Sequence, residues 1–132
     1  MWVDVMEIEV TVDIGKYKWV RLPREDALKL LEIIETKLGE SPRDLQEAMR
    51  YIRHFDEFYQ EMKKRFKDFI APTQSLSDMI KGTVVVDKLS LEKEGGKDYV
   101  TIVFDRRVPL DVLKEALQEM GYSVREKVEK IW

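Results

Sequence analysis

PRDLQEAMRYIRHFDEFYQEMKKRFKDFI, residues 42–70, is the stretch on which the architecture turns. With Leu45 as heptad position a, Leu45, Ala48, Ile52, Phe55, Tyr59, Met62, Phe66 and Phe69 recur at alternating steps of three and four, the spacing of one face of a helix. Every b, c and f position is polar or charged. Ser41 reads as the N-cap, its hydroxyl accepting from the Asp44 amide while the Asp44 carboxylate returns the bond, and Pro42 sits where a missing N–H is harmless. Pro72 disfavours helical geometry at Ala71 and sets the far end. At roughly 1.5 Å per residue such a helix is a rod on the order of 42 Å long, about the diameter of a domain of this size. Its rings then need cover, because an exposed aromatic stripe invites aggregation.

The register suggests what covers them. About an antiparallel two-fold axis near residue 60, Phe55 meets Phe66, Ile52 meets Phe69 and Tyr59 meets Met62 of a second copy. Asp56 then faces Lys63, and Phe58 faces Arg65, adding a salt bridge and a cation–π contact. Parallel pairing sets Lys63 against Lys63. The expectation is an antiparallel homodimer, with a further protein partner as an extension of the same idea.

Composition bounds the alternatives. The 132 residues fit one domain with its own core. Hydrophobic residues make up 44% and charged residues 37%, with no apolar run near the roughly 20 residues of a membrane span and no signal-peptide pattern at Met1-Trp2-Val3-Asp4. A soluble, cytoplasmic protein with no membrane partner is expected. Cysteine is absent, which excludes disulfides, thiolate nucleophiles and cysteine metal sites. The lack of asparagine beside abundant lysine, arginine and glutamate resembles thermophile usage. A net charge of −3 argues against a generally basic nucleic-acid binder.

Outward from the central stretch, Met6, Ile8, Val10 and Val12 alternate with polar residues, predicting a strand over 4–13. A turn at Ile14-Gly15-Lys16 and a second strand over 17–22 close a hairpin. Ala27, Leu30, Leu31, Ile34 and Leu38 predict a helix over 23–38 stopped by Gly39. Beyond Pro72, Ser75-Leu76-Ser77-Asp78 caps a short connector helix ended by Gly82. Strands over 83–93 and 98–105 flank the Glu94-Gly95-Gly96-Lys97 turn, the second apolar on both faces and so central. A helix over 109–120, with Leu110, Leu113, Ala116, Leu117 and Met120 as its apolar stripe, and a strand over 122–132, with Tyr122, Val124, Val128 and Trp132 alternating, complete the order. This is an α+β chain of ferredoxin-like, split βαβ type, with an extra N-terminal hairpin strand and residues 41–82 as a helical insertion. Gly15-Lys16-Tyr17 and Gly96-Lys97-Asp98-Tyr99 also open two strand-strand-helix halves that read as degenerate copies.

Chemistry-bearing residues are dispersed. His54, the one histidine, falls on the outer face of the long helix without further ligands, so neither a metal site nor a cofactor is predicted. Glu7 and Glu9, Glu25 and Asp26, and Glu92 and Glu94 sit at exterior positions rather than converging, and no phosphate loop, HExxH or serine triad signature is present. No catalytic activity is expected. Lys63, Lys64, Arg65 and Lys67, with Arg106 and Arg107, form the basic clusters of an alternative in which the chain is an accessory nucleic-acid binder. In the competing explanation they complement a helix terminus and pair along the helix, as Glu61 does with Arg65. Lys97 to Phe104 can be laid over the RNA-recognition-motif signature, but Asp98 replaces its glycine and Thr101 its central ring, and a packed strand is the simpler meaning. The function that follows is a small thermostable interaction module that dimerises through its long helix.

Overall fold

The computed structural model describes residues 6–13 and 17–129, with side chains from Tyr17 to Lys127. The turn at Ile14-Gly15-Lys16, the strand ends at 4–5 and 130–132, and the facing of Met6, Ile8, Val10, Val12, Val128 and Trp132 lie outside the described residues.

The chain is a mixed α+β structure. Its elements are β1 (Met6–Asp13), β2 (Lys18–Pro23), α1 (Arg24–Leu38), α2 (Arg43–Arg53), α3 (Phe55–Lys64), α4 (Leu76–Lys81), β3 (Val86–Glu94), β4 (Lys97–Phe104), α5 (Leu110–Glu119) and β5 (Tyr122–Glu129). Strands β3, β4 and β2 form an antiparallel sheet, and the full strand order is β3-β4-β2-β1-β5 with β5 parallel to β1. Period-two alternation decides which face is dry. Val20 and Leu22 on β2, Leu89 and Leu91 on β3, and Val100, Ile102 and Phe104 on β4 lie side by side across the register and are buried. Arg21, Glu92, Tyr99 and Thr101 occupy the opposite face, where Arg21 pairs with Glu92 at 2.9 Å and stacks over the Tyr99 ring at 4.2 Å.

The helices supply the other half of the core. Ala27, Leu30, Leu31 and Ile34 of α1 and Leu113, Ala116 and Leu117 of α5 are buried, as their spacing predicts. Gly39 ends α1 in the left-handed region at φ 68°, where a glycine carries no steric penalty. Each large apolar side chain taken wholly out of water in this core contributes about 1.5–3 kcal/mol.

The central stretch departs from the expected rod. It is two helices that break at His54, whose φ of −107° and ψ of 47° are not helical, and it ends at Lys64 rather than Ile70. Neither proline nor glycine stands at the break. The carbonyls of Ile52 and Arg53, which an unbroken helix would bond to the amides of residues 56 and 57, accept instead from Arg24 Nε at 3.2 Å and Nη2 at 3.0 Å. A cation from α1 thus holds the break open, and α2 and α3 each pack on β3 while α2 also packs on α1.

The start of α2 also differs from expectation. Pro42 is the N-cap and no side chain caps it. Ser41 donates to Glu35 at 2.5 Å and accepts from Gln46 at 2.9 Å. Asp44 turns inward, fully buried, and accepts from the backbone amides of Val85 at 2.8 Å and Val86 at 2.6 Å. Further along, Ile70 exchanges both backbone hydrogen bonds with Leu89. The outer edge of β3 is therefore blunted by the inserted helices and their trailing loop, an arrangement that suppresses edge-to-edge pairing with other chains.

Candidate interaction face

Where the predicted seam residues lie decides which of them can meet anything outside the chain. Ile52, Phe55 and Met62 are buried within the fold. Tyr59 is half-buried, its ring stacked on Phe55 with centroids 5.9 Å apart. Phe58 packs on Tyr51 at 4.4 Å and lies beneath Arg50. Asp56 is bonded by Lys93 at 2.8 Å, which holds its carboxyl below the usual carboxylate range. Arg65 is paired with Glu61 at 2.7 Å. Ile52, Phe55 and Met62 thus pack inside their own chain, while Asp56 and Arg65 are exposed and ion-paired within it. The spacing marked a buried face correctly, but β3 and the broken geometry of the helix cover it.

Phe66 and Phe69 fare differently because the helix stops before them. At its end the Phe66 amide donates to the Lys63 carbonyl and the Lys67 amide to the Met62 carbonyl, both at 3.0 Å. This is a Schellman terminus, whose C′ residue takes the left-handed conformation and is usually glycine. Here that residue is Phe66, at φ 55°, where a side chain costs roughly 1–2 kcal/mol. Its ring is 97% exposed and so recovers nothing by burial. Among the described non-glycine residues Phe66 alone has positive φ.

Beside it lies a groove of about 540 Å³. Phe58, Met62, Phe69 and Ile70 supply its apolar surface, with Glu57 and Glu61 from α3 and Arg65, Lys67 and Lys88 as its charged groups. Lys88 stands over the Phe69 ring at 4.5 Å. Arg65 and Lys67, the neighbours of Phe66 in sequence, line the groove, and Phe66 itself does not.

A second apolar surface is α4. Ser75 caps it by accepting from the Asp78 amide at 3.0 Å, as the sequence predicts. Asp78 accepts in turn from the Arg43 amide at 3.0 Å, which lowers its pKa, and Arg107 donates to the Met79 carbonyl at 3.4 Å. Polar contacts anchor this helix while Leu76 (71% exposed), Met79 and Ile80 (77%) face water.

The basic residues do not act alike. Lys63 stands near the Tyr59 ring at 5.7 Å. Arg107 closes on Asp105 through Nε at 2.9 Å and is raised in pKa by that bond. Lys64, Lys67 and Arg106 are exposed. His54 lines a separate groove of about 680 Å³ with Arg43, Arg50, Arg53, Glu35 and Glu47, where Arg50 and Glu47 pair at 3.1 Å. In the Lys97–Phe104 segment, Ile102 and Phe104 are core residues and Tyr99 lies under Arg21, which leaves no open stacking platform there. Among the described residues no acidic or histidine cluster is arranged to hold a metal ion, and no helix is long and apolar enough to cross a membrane.

The roles of three residues are not legible in the sequence. The spacing of Asp44 suits a cap, Arg24 carries no motif, and nothing local distinguishes Phe66 as a helix terminus. Comparison of the chain with family models, curated proteins and solved structures finds no match.

Proposed function

We propose that this protein is a non-catalytic interaction module that self-associates through the face at the end of α3, with Phe66 as its principal contact. The observation that carries this reading is the almost fully exposed Phe66 ring in a backbone conformation that disfavours it. A contact residue recovers that penalty only when a partner covers it. The homodimer is thus retained from the sequence, while the face moves from the middle of the helix to its terminus. The exposed apolar side of α4 supports the same class of function and suits a further protein partner.

For the fold, we read β2-α1-β3 and β4-α5-β5 as split βαβ units of ferredoxin-like type, with β1 lying between β2 and β5. The strand order supports this. The lack of cysteine is in keeping with a cytoplasmic setting.

A nucleic-acid role is the second reading, favoured by one observation: Lys63, Lys64 and Lys67 are exposed and lie within three residues of an exposed ring on which a base could stack. Light scattering of the pure chain over a concentration series, at low and high salt, tests the first. A mass that doubles with concentration is expected, whereas a monomer at all concentrations up to tens of micromolar overturns it. Salt-sensitive retention of oligonucleotides by that monomer would favour the second.

A further inference from the structure

We propose that the groove at the end of α3 binds a small amphipathic acid, one carboxylate on an apolar body such as a medium-chain fatty acid. Its charges are unevenly placed. From α3 come Glu57 and Glu61, and Glu61 is closed on Arg65 at 2.7 Å. From the trailing loop and β3 come Lys67 and Lys88, neither of which forms an ion pair among the described residues. With the Glu61–Arg65 pair neutral, the two lysines stand against Glu57 alone, an excess of one positive charge. Glu57 is further offset by Arg50, which lies over the Phe58 ring at 5.1 Å and whose pKa is raised by Glu47 foremost and by Glu57 as well. The charge left for a ligand to neutralise is positive, and Lys67 and Lys88 hold it.

The rest of the groove is apolar and already in place. Tyr51 and Met62 line it from buried positions, and Phe58 and Ile70 are partly buried. Lys88 stands over the Phe69 ring at 4.5 Å, which sets an ammonium directly beside aromatic surface. A carboxylate met there leaves its apolar body against the helix side chains, Phe58 and Met62. The volume of about 540 Å³ lies within the roughly 300–1,000 Å³ of small-molecule sites, where apolar walls supply burial and a few charged groups fix orientation. A simple inorganic anion leaves this apolar surface bare, and a neutral or cationic amphiphile leaves the excess charge unmatched. The site lies within one chain, so it stands whether or not the chain self-associates.

The test is a protein-observed NMR titration of the full chain with three eight-carbon probes, octanoate, octanol and octyltrimethylammonium, and with acetate. Octanoate should bind about tenfold more tightly than octanol, the product of about threefold from each lysine, with octyltrimethylammonium weaker still and acetate not bound. Lys67→Met and Lys88→Met, each checked for a native circular-dichroism spectrum, should each weaken octanoate about threefold and leave octanol unchanged. Ala71→Trp, which fills the groove from an exposed lining position, should abolish binding of both. Three octyl probes that bind alike overturn the choice of an acid. Octanoate bound by Ala71→Trp or by the double lysine variant as tightly as by wild type overturns the site, since binding then lies elsewhere, such as on α4. No shift with octanoate at several millimolar overturns the proposal outright.

Discussion

Replacing Asp44 by alanine should destabilise the protein by roughly 2–5 kcal/mol, and the magnitude can be worked from its surroundings. The carboxylate is fully buried, and one oxygen accepts from both Val85 N–H at 2.8 Å and Val86 N–H at 2.6 Å. Truncation strands two backbone donors at the start of β3, and each unpaired buried donor costs about 1–3 kcal/mol. Against this stands relief of the carboxylate's own desolvation, since its other oxygen is buried without a hydrogen-bond partner. Asp44→Asn keeps an acceptor for the two amides and should cost only about 1–2 kcal/mol. Burial holds the Asp44 pKa above the usual carboxylate value despite the Val86 and Val85 amides. Its stabilising contribution is therefore complete below the unfolded-state pKa of about 3.9 and declines as pH rises through the folded-state value. The stability gap between wild type and Asp44→Asn should narrow over that rise. Urea unfolding at several pH values gives both quantities. A loss under about 1 kcal/mol for Asp44→Ala at unchanged m-value would refute the reasoning.

Three further outcomes follow from single contacts. Arg24→Met should lose about 1–2 kcal/mol in urea unfolding, because the Ile52 and Arg53 carbonyls lose a charged donor; an unchanged midpoint would mean the break at His54 is held by packing alone. Tyr122→Phe removes the hydroxyl that donates to Asp26 and should cost about 1–2 kcal/mol at neutral pH. Burial, then Asp26, raises the Tyr122 pKa, so this contribution is present below about pH 10 and fades as pH climbs through the raised value; a difference from Tyr122→Phe that grows with alkalinity would be the wrong sign. Ile80→Glu, on the exposed side of α4, should leave stability within about 0.5 kcal/mol of wild type, and a larger loss in thermal melts would mean that this side is buried.

The parts of the fold legible from sequence are those fixed by local chemistry. Glycine stops at Gly39 and Gly82, the Ser75 cap, and the stripes of α1 and α5 all stand where three- to four-residue spacing placed them. The seam of residues 45–62 was equally legible as a buried face. Its covering was not, because the three-four repeat runs through His54 and Lys64 without interruption while the helix does not. The break depends on Arg24, distant in sequence, and the terminus falls on a phenylalanine where a glycine would have announced it. Asp44 shows the same limit: a short polar residue near a helix start suits a cap, and only the arrival of β3 gives its carboxylate a different pair of amides. The candidate face was half legible, since Phe66, Phe69 and the lysines beside them stand out in the sequence, but as one side of a rod rather than as an exposed ring just past the end of a helix.

Phe66→Gly, measured by thermal melting at high dilution and by sedimentation equilibrium at tens of micromolar, separates contact from folding in a single variant. Relief of the left-handed strain should raise stability by about 1 kcal/mol, or about 3–4 °C for a chain of this length, while the wild-type pair is lost. A variant that melts several degrees lower, or one that keeps the wild-type mass, would contradict the assignment of Phe66 as the contact through which two chains meet.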